Sequence, residues 1–136
     1  MQNKVEEINA YRAKMNEKLL EDNNKLIKRI FNLDTNAFME GALDVKTKEL
    51  LGLVASAVLR CDDCVKYHLE SVQKAGGSKT EVMETLSIAT LIGGTIVIPH
   101  LRRPTNTGSA WKKTQHQKQN RMRMKLRAEN IMKAYR

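Results

Sequence analysis

Apolar residues recur at helical spacing along most of the chain, and hardly anywhere do they alternate as a half-buried strand requires. Over residues 4–31, Val5, Ile8, Tyr11 and Met15 form one stripe, continued by Leu19, Leu20, Leu26, Ile27, Ile30 and Phe31. Charged residues fill the other faces. The segment reads as one amphipathic helix, or a pair interrupted at Asp22-Asn23-Asn24, packing on the body or on a neighbouring subunit. Asn32 to Ala37 reads as a connector, and Phe38-Met39 as a short helical turn that stops near Gly41.

Asp44 is a good N-cap for a helix from Val45 to about Leu59. Its stretch Leu50 to Leu59 is apolar nearly all round, which places it at the centre of the fold or at a subunit interface. Arg60 ends it. The next helix runs through Leu69, Val72 and Ala75 to a stop at Gly76-Gly77. Ser78-Lys79-Thr80-Glu81 is a capping box for a further helix, which carries Val82, Met83, Leu86, Ile88, Ala89, Leu91 and Ile92. Gly93-Gly94 allows a kink. Thr95-Ile96-Val97-Ile98 would suit a strand locally, but one strand has nothing to pair with, so helix is expected to continue. Pro99 kinks it or begins another turn, and His100 reads as a helix-end histidine. The pattern as a whole predicts an all-α fold.

Length and charge refine this picture. A chain of 136 residues is one domain, or one domain and a tail. The net charge of +9 is unevenly spread: residues 101–136 carry eleven Lys or Arg against the single acid Glu129, while residues 1–100 are almost neutral. The organisation expected is an N-terminal helical segment (1–34), a core (35–103) and a basic tail (104–136). No apolar run reaches the roughly 18–20 residues of a membrane span, and the N-terminus has no apolar signal core. A cytoplasmic location without membrane contact is expected.

Candidate chemistry concentrates in Cys61-Asp62-Asp63-Cys64-Val65-Lys66-Tyr67-His68, which holds both cysteines and one of the three histidines. On a helix, Cys61, Cys64 and His68 fall within roughly a 60° arc. Three chemistries fit. A dithiol–disulfide pair would gain from a helix starting near Asp62, because unpaired N–H groups favour a thiolate, with His68 relaying protons. A zinc site is possible in ligand type but has only three local ligands. Two small core residues beside a packed histidine would need no function. Glu49 precedes Cys61 by twelve residues, roughly 18 Å along one straight helix. If the chain reverses near Arg60, Glu49 and His68 face each other within about a turn, and a carboxylate meeting an imidazole beside two thiols makes a proton relay. Otherwise Glu49 simply complements its helix dipole.

Glu49, eleven residues, Cys61-x-x-Cys64-x-x-x-His68, then Gly76-Gly77-Ser78-x-x-Glu81 resembles the carboxymuconolactone decarboxylase-like superfamily, and within it the alkylhydroperoxidase D branch. The match covers roughly residues 35–103. The resemblance implies an all-α helical bundle with a central antiparallel hairpin carrying the two cysteines, and assembly into homo-trimers or hexamers. It implies a thiol-dependent peroxidase or disulfide exchanger without cofactor or metal, taking a hydroperoxide and an external thiol donor. Cys64 would be the peroxidatic nucleophile, Cys61 the resolving cysteine, and Glu49 and His68 the relay. Peroxidase members have a histidine where this chain has Asp63; an acid there disfavours a thiolate, so peroxide chemistry is expected to be slower. The lactone decarboxylases lack the cysteine pair. The alternative from another class is a non-catalytic oligomer with a structural or zinc-holding pair.

The tail departs from the resemblance. Pro104 to Ser109 is rich in helix breakers, and Lys112 to Arg136 is basic, with only Trp111 and Tyr135 able to stack on bases and no nucleic-acid motif. A nucleic-acid or anionic-surface arm is one reading, although nucleic acid is not the expected partner, and a disordered or weakly helical solvated tail is a second. Another lies in the genetic code. Pro104 to Lys112 can be encoded as CCT ACG AAT ACT GGG AGC GCT TGG AAA. With one G restored in front, the same bases read Ala-Tyr-Glu-Tyr-Trp-Glu-Arg-Leu-Glu, the amphipathic helix with which such families continue. The tail then reads as an out-of-frame translation.

Overall fold

The computed structural model describes residues 4–22, 24–105, 122–126 and 133. In order these form α1 (Lys4–Glu21), α2 (Lys25–Ala37), α3 (Val45–Val58), α4 (Asp62–Lys74), α5 (Lys79–Gly93), a 3₁₀ turn (Thr95–Val97) and α6 (Ile98–Thr105). Residues 122–126 are helical, and among the described residues there is no strand. The composition of the tail and its reading frame fall largely on residues outside those described.

The core is a three-helix arrangement around α3. Leu53 and Ala57 of α3 meet Val65 and Val72 of α4 and Val82, Leu86 and Ala89 of α5, with Val97 of the 3₁₀ turn closing one end. α3 is central, as its apolar run predicts, because α4 and α5 both pack on it. Fully burying a side chain such as Leu53 or Leu86 is worth roughly 1.5–3 kcal/mol. The far face of α3 stays open, with Leu51 and Leu59 exposed.

The N-terminal segment is a helix pair, split where expected. Asn24 accepts the N–H groups of Leu26 and Ile27 and so starts α2 afresh. Two expectations are corrected at this end of the chain. Asn32 to Ala37 is not a connector: α2 runs through it, and Thr35 and Asn36 bond back onto the carbonyls of Phe31 (3.0 Å) and Asn32 (2.8 Å) within the helix instead of opening a turn. Phe38-Met39 is turn rather than helix, and Lys48 of α3 donates to the Ala37 and Met39 carbonyls at 2.8 and 2.6 Å. At the other end, Gly94 at φ 79 stops α5, and the chain continues as a 3₁₀ turn instead of uninterrupted helix. Pro99 lies in the first turn of α6, where its missing N–H has no acceptor to lose. α6 runs on through Pro104 to Thr105, two residues into the segment read as a linker.

Candidate active site

The α3–α4 turn builds the site. The N–H groups of Arg60 and Cys61 reach back to the carbonyls of Ala57 (3.1 Å) and Ser56 (3.0 Å). This pairing closes a helix when the residue after its cap is left-handed. Arg60 takes that conformation at φ 60, at a cost of about 1–2 kcal/mol for a residue with a β-carbon. Cys61 then becomes the N-cap of α4, and its sulfur accepts the Cys64 N–H at 3.4 Å. The two cysteines are joined in a disulfide, their Cα atoms 5.3 Å apart. α4 begins at Asp62, so both sulfurs lie at the positive end of its dipole, where N–H donors favour a thiolate once the bond is reduced.

His68 follows Cys64 by one helical turn on the same face of α4. The hairpin carries Glu49 opposite it: His68 Nδ1 lies 2.7 Å from Glu49 Oε2, with the side chains only 12% and 6% exposed. An ionised carboxylate only accepts, so Nδ1 bears the hydrogen, and Nε2 is left to take or give a proton. Glu49 therefore points into the hairpin, not along its own helix end. The imidazole rests on Gly52: a β-carbon there would meet three ring atoms at 2.5, 2.7 and 2.8 Å. Phe38 and Tyr67 flank the ring with centroids 5.3 and 5.2 Å away. The four candidates Cys61, Cys64, His68 and Glu49 thus stand together on one hairpin. Glu49 also lines a solvent-open cleft of about 710 Å³, with Asp44, Lys46 and Lys74 among its walls.

Three further side chains adjoin the turn. Asp63, the acid between the cysteines, is exposed and bridges Lys66 at 3.2 Å. Arg12 of α1 donates to the Asp63 carbonyl at 3.2 Å and lies 5.3 Å over the Tyr67 ring. His100 of α6 places Nδ1 2.8 Å from Asp62 Oδ1. The Arg12 and His100 contacts depend on where α1 and α6 pack, and no spacing along the chain announces them, whereas the Asp63–Lys66 bridge is local to α4. Among the described residues, no three His, Cys, Asp or Glu side chains are placed to hold a metal ion together.

Known proteins share this fold. A crystal structure from Thermotoga maritima, of a carboxymuconolactone decarboxylase family protein for which a role in the antioxidative response has been suggested, is 46% identical. It covers 82% of this chain and 94% of that one, with a TM-score of 0.76. A family member from Legionella pneumophila, lpg0406 in its apo form, is 27% identical over 81% of this chain and 92% of its own, with a TM-score of 0.60. An uncharacterised protein of the cox locus of Paracoccus denitrificans is 31% identical over 52 residues, and the match spans only 47% of that protein's length. The model of the carboxymuconolactone decarboxylase family itself matches residues 24–107, more than half of the sequence, and the chain belongs to that family.

Proposed function

We propose that the chain is a thiol oxidoreductase of the alkylhydroperoxidase D type, reducing hydroperoxides or exchanging disulfides through Cys61 and Cys64. The observation that carries this reading is the buried Glu49–His68 pair, 2.7 Å apart and one helical turn from Cys64. His68 takes the Cys64 proton, and the thiolate attacks a peroxide oxygen. The O–O bond breaks, the alcohol leaves with a proton, and Cys64 becomes a sulfenic acid. Cys61 then attacks that sulfur, the S–S bond forms, and hydroxide leaves as water. An external dithiol returns two electrons and two protons and is itself oxidised to a disulfide. The cleft beside Glu49 gives the relayed proton a way to solvent. The antioxidative role suggested for the Thermotoga relative supports a peroxide as the oxidant. The need for a dithiol donor points to a reducing compartment, the cytoplasm. Exposed apolar residues on α2 and α5 support a homo-oligomer, which the resemblance to the alkylhydroperoxidase D branch makes a trimer or hexamer.

The test is peroxide-dependent thiol loss in reduced protein. Wild type should lose both thiols to an intramolecular disulfide. Cys61→Ser should stop at a sulfenic acid that dimedone traps, and Cys64→Ser should react slowly. Wild-type thiols that survive excess hydroperoxide would overturn the peroxidase reading.

A further inference from the structure

Two carboxylate–imidazole pairs border the disulfide, and the proposed reaction uses one. The other is His100 Nδ1 on Asp62 Oδ1, 2.8 Å apart, with side chains 26% and 22% exposed. Asp62 follows Cys61 directly and is the first residue of α4; His100 lies in the first turn of α6, which packs on α4. The pair therefore ties α6 to the turn that holds the Cys61 sulfur.

Cys61 must act as a nucleophile when it resolves the sulfenic acid. It loses its proton, its sulfur bonds to that of Cys64, and hydroxide leaves Cys64 as water. A carboxylate one residue away works against that thiolate. An imidazole N–H donating into the carboxylate draws its charge towards α6 and away from the sulfur. We propose that His100, bound to Asp62, is a positioning residue that raises the reactivity of the Cys61 thiol. This rests on reading Cys61 and Cys64 as a redox pair. Its consequence is that the sulfenic acid on Cys64 is captured before a second peroxide oxidises it further. The other charged groups around this turn are Arg60, Asp63 and Lys66 in the same stretch, Arg12 of α1, Arg102 of α6 and, through His68, Glu49 of α3. None of them is itself removed by substituting His100, Asp62 or Cys64.

The experiment measures alkylation of Cys61 by iodoacetamide in the full chain carrying Cys64→Ser, read by mass spectrometry without any peroxide. His100→Phe, which keeps the bulk and removes the donor, should slow alkylation near neutral pH about threefold, only part of what a hydrogen bond to a charged group is worth because the effect reaches Cys61 through Asp62. His100→Asn, whose amide N–H replaces Nδ1, should restore most of the rate. Asp62→Asn should instead speed the reaction. A purely structural tie would move His100→Phe and Asp62→Asn in the same direction, and that result, or no change in either, overturns the proposal. If His100→Phe loses its helical circular dichroism, Asp62→Asn decides: faster supports the proposal, slower overturns it. Because no peroxide is present, failure of the peroxidase reading leaves this result interpretable.

Discussion

Gly52 touches no reacting atom, yet the candidate site depends on what it lacks. It lies three residues after Glu49 on α3, and the His68 ring occupies the space a β-carbon would fill. Two effects oppose each other in Gly52→Ala. Alanine favours the helix by about 1 kcal/mol. Against that, the methyl drives the imidazole off Glu49, and a buried carboxylate stripped of its partner costs about 3–5 kcal/mol. The second effect wins, so the variant should lose about 2–4 kcal/mol in urea unfolding, and Cys64 should alkylate more slowly. A variant as stable as wild type would mean that the ring moves freely and that Gly52 does not hold the pair in register. Asp63 teaches the converse lesson. The sequence marks it as an acid that opposes a thiolate, but its carboxylate is 79% exposed and bridged to Lys66, so solvent screens most of its effect.

Helix ends position the site, and their legibility depends on where their partners come from. Asp44, Gly76-Gly77 and the Ser78–Glu81 box are readable because each satisfies backbone groups within a few residues of itself. The end of α2 is only partly readable in this way: the Phe38 and Met39 N–H groups cap the Asp34 and Asn36 carbonyls locally, but the Ala37 carbonyl is met by Lys48 from the following helix. The Glu49–His68 meeting is legible because both residues lie at similar distances from the reversal at Arg60. The Asp62–His100 and Arg12–Asp63 contacts are not, since they require knowing where α6 and α1 lie. Glu81 combines both kinds: it accepts the Ser78 N–H at 2.6 Å and also meets Lys46 of α3 at 2.6 Å. The Lys46 ammonium and the Ser78 N–H hold its carboxyl down from 4.5 to about 2. A carboxyl lowered on folding contributes its stability above the unfolded value and loses it as pH falls through the folded one. Glu81→Gln should therefore lower the melting temperature near neutral pH. The difference from wild type should shrink between pH 4.5 and about 2 and vanish below. A difference that stays constant to pH 2 would show that Glu81 acts there without its charge.

At the scale of the molecule, the buried core is small beside the apolar surface left open. Leu91 and Ile92 of α5 are 85% and 68% exposed, and Leu26 and Leu33 of α2 are both 66% exposed. Covering four such side chains would contribute roughly 6–12 kcal/mol per protomer, comparable to the whole folding stability of an ordinary domain. If a second copy covers them, folding and assembly are linked, and the melting temperature must rise with protein concentration. Light scattering should then give three or six times the 15.5 kDa chain mass. Leu91→Asp combined with Ile92→Asp places two charges in that interface. It should yield a monomer with a lower melting temperature that no longer depends on concentration. Wild type that scatters as a single chain with a concentration-independent melt would sink the assembly. The same variant separates assembly from chemistry. Cys61, Cys64, His68 and Glu49 all belong to one hairpin of one chain, while Leu91 and Ile92 lie on α5 with their side chains turned largely to solvent. The split protein should therefore keep the alkylation rate of its cysteines while it remains folded. A rate that collapses with the assembly would mean that a neighbouring subunit completes the site.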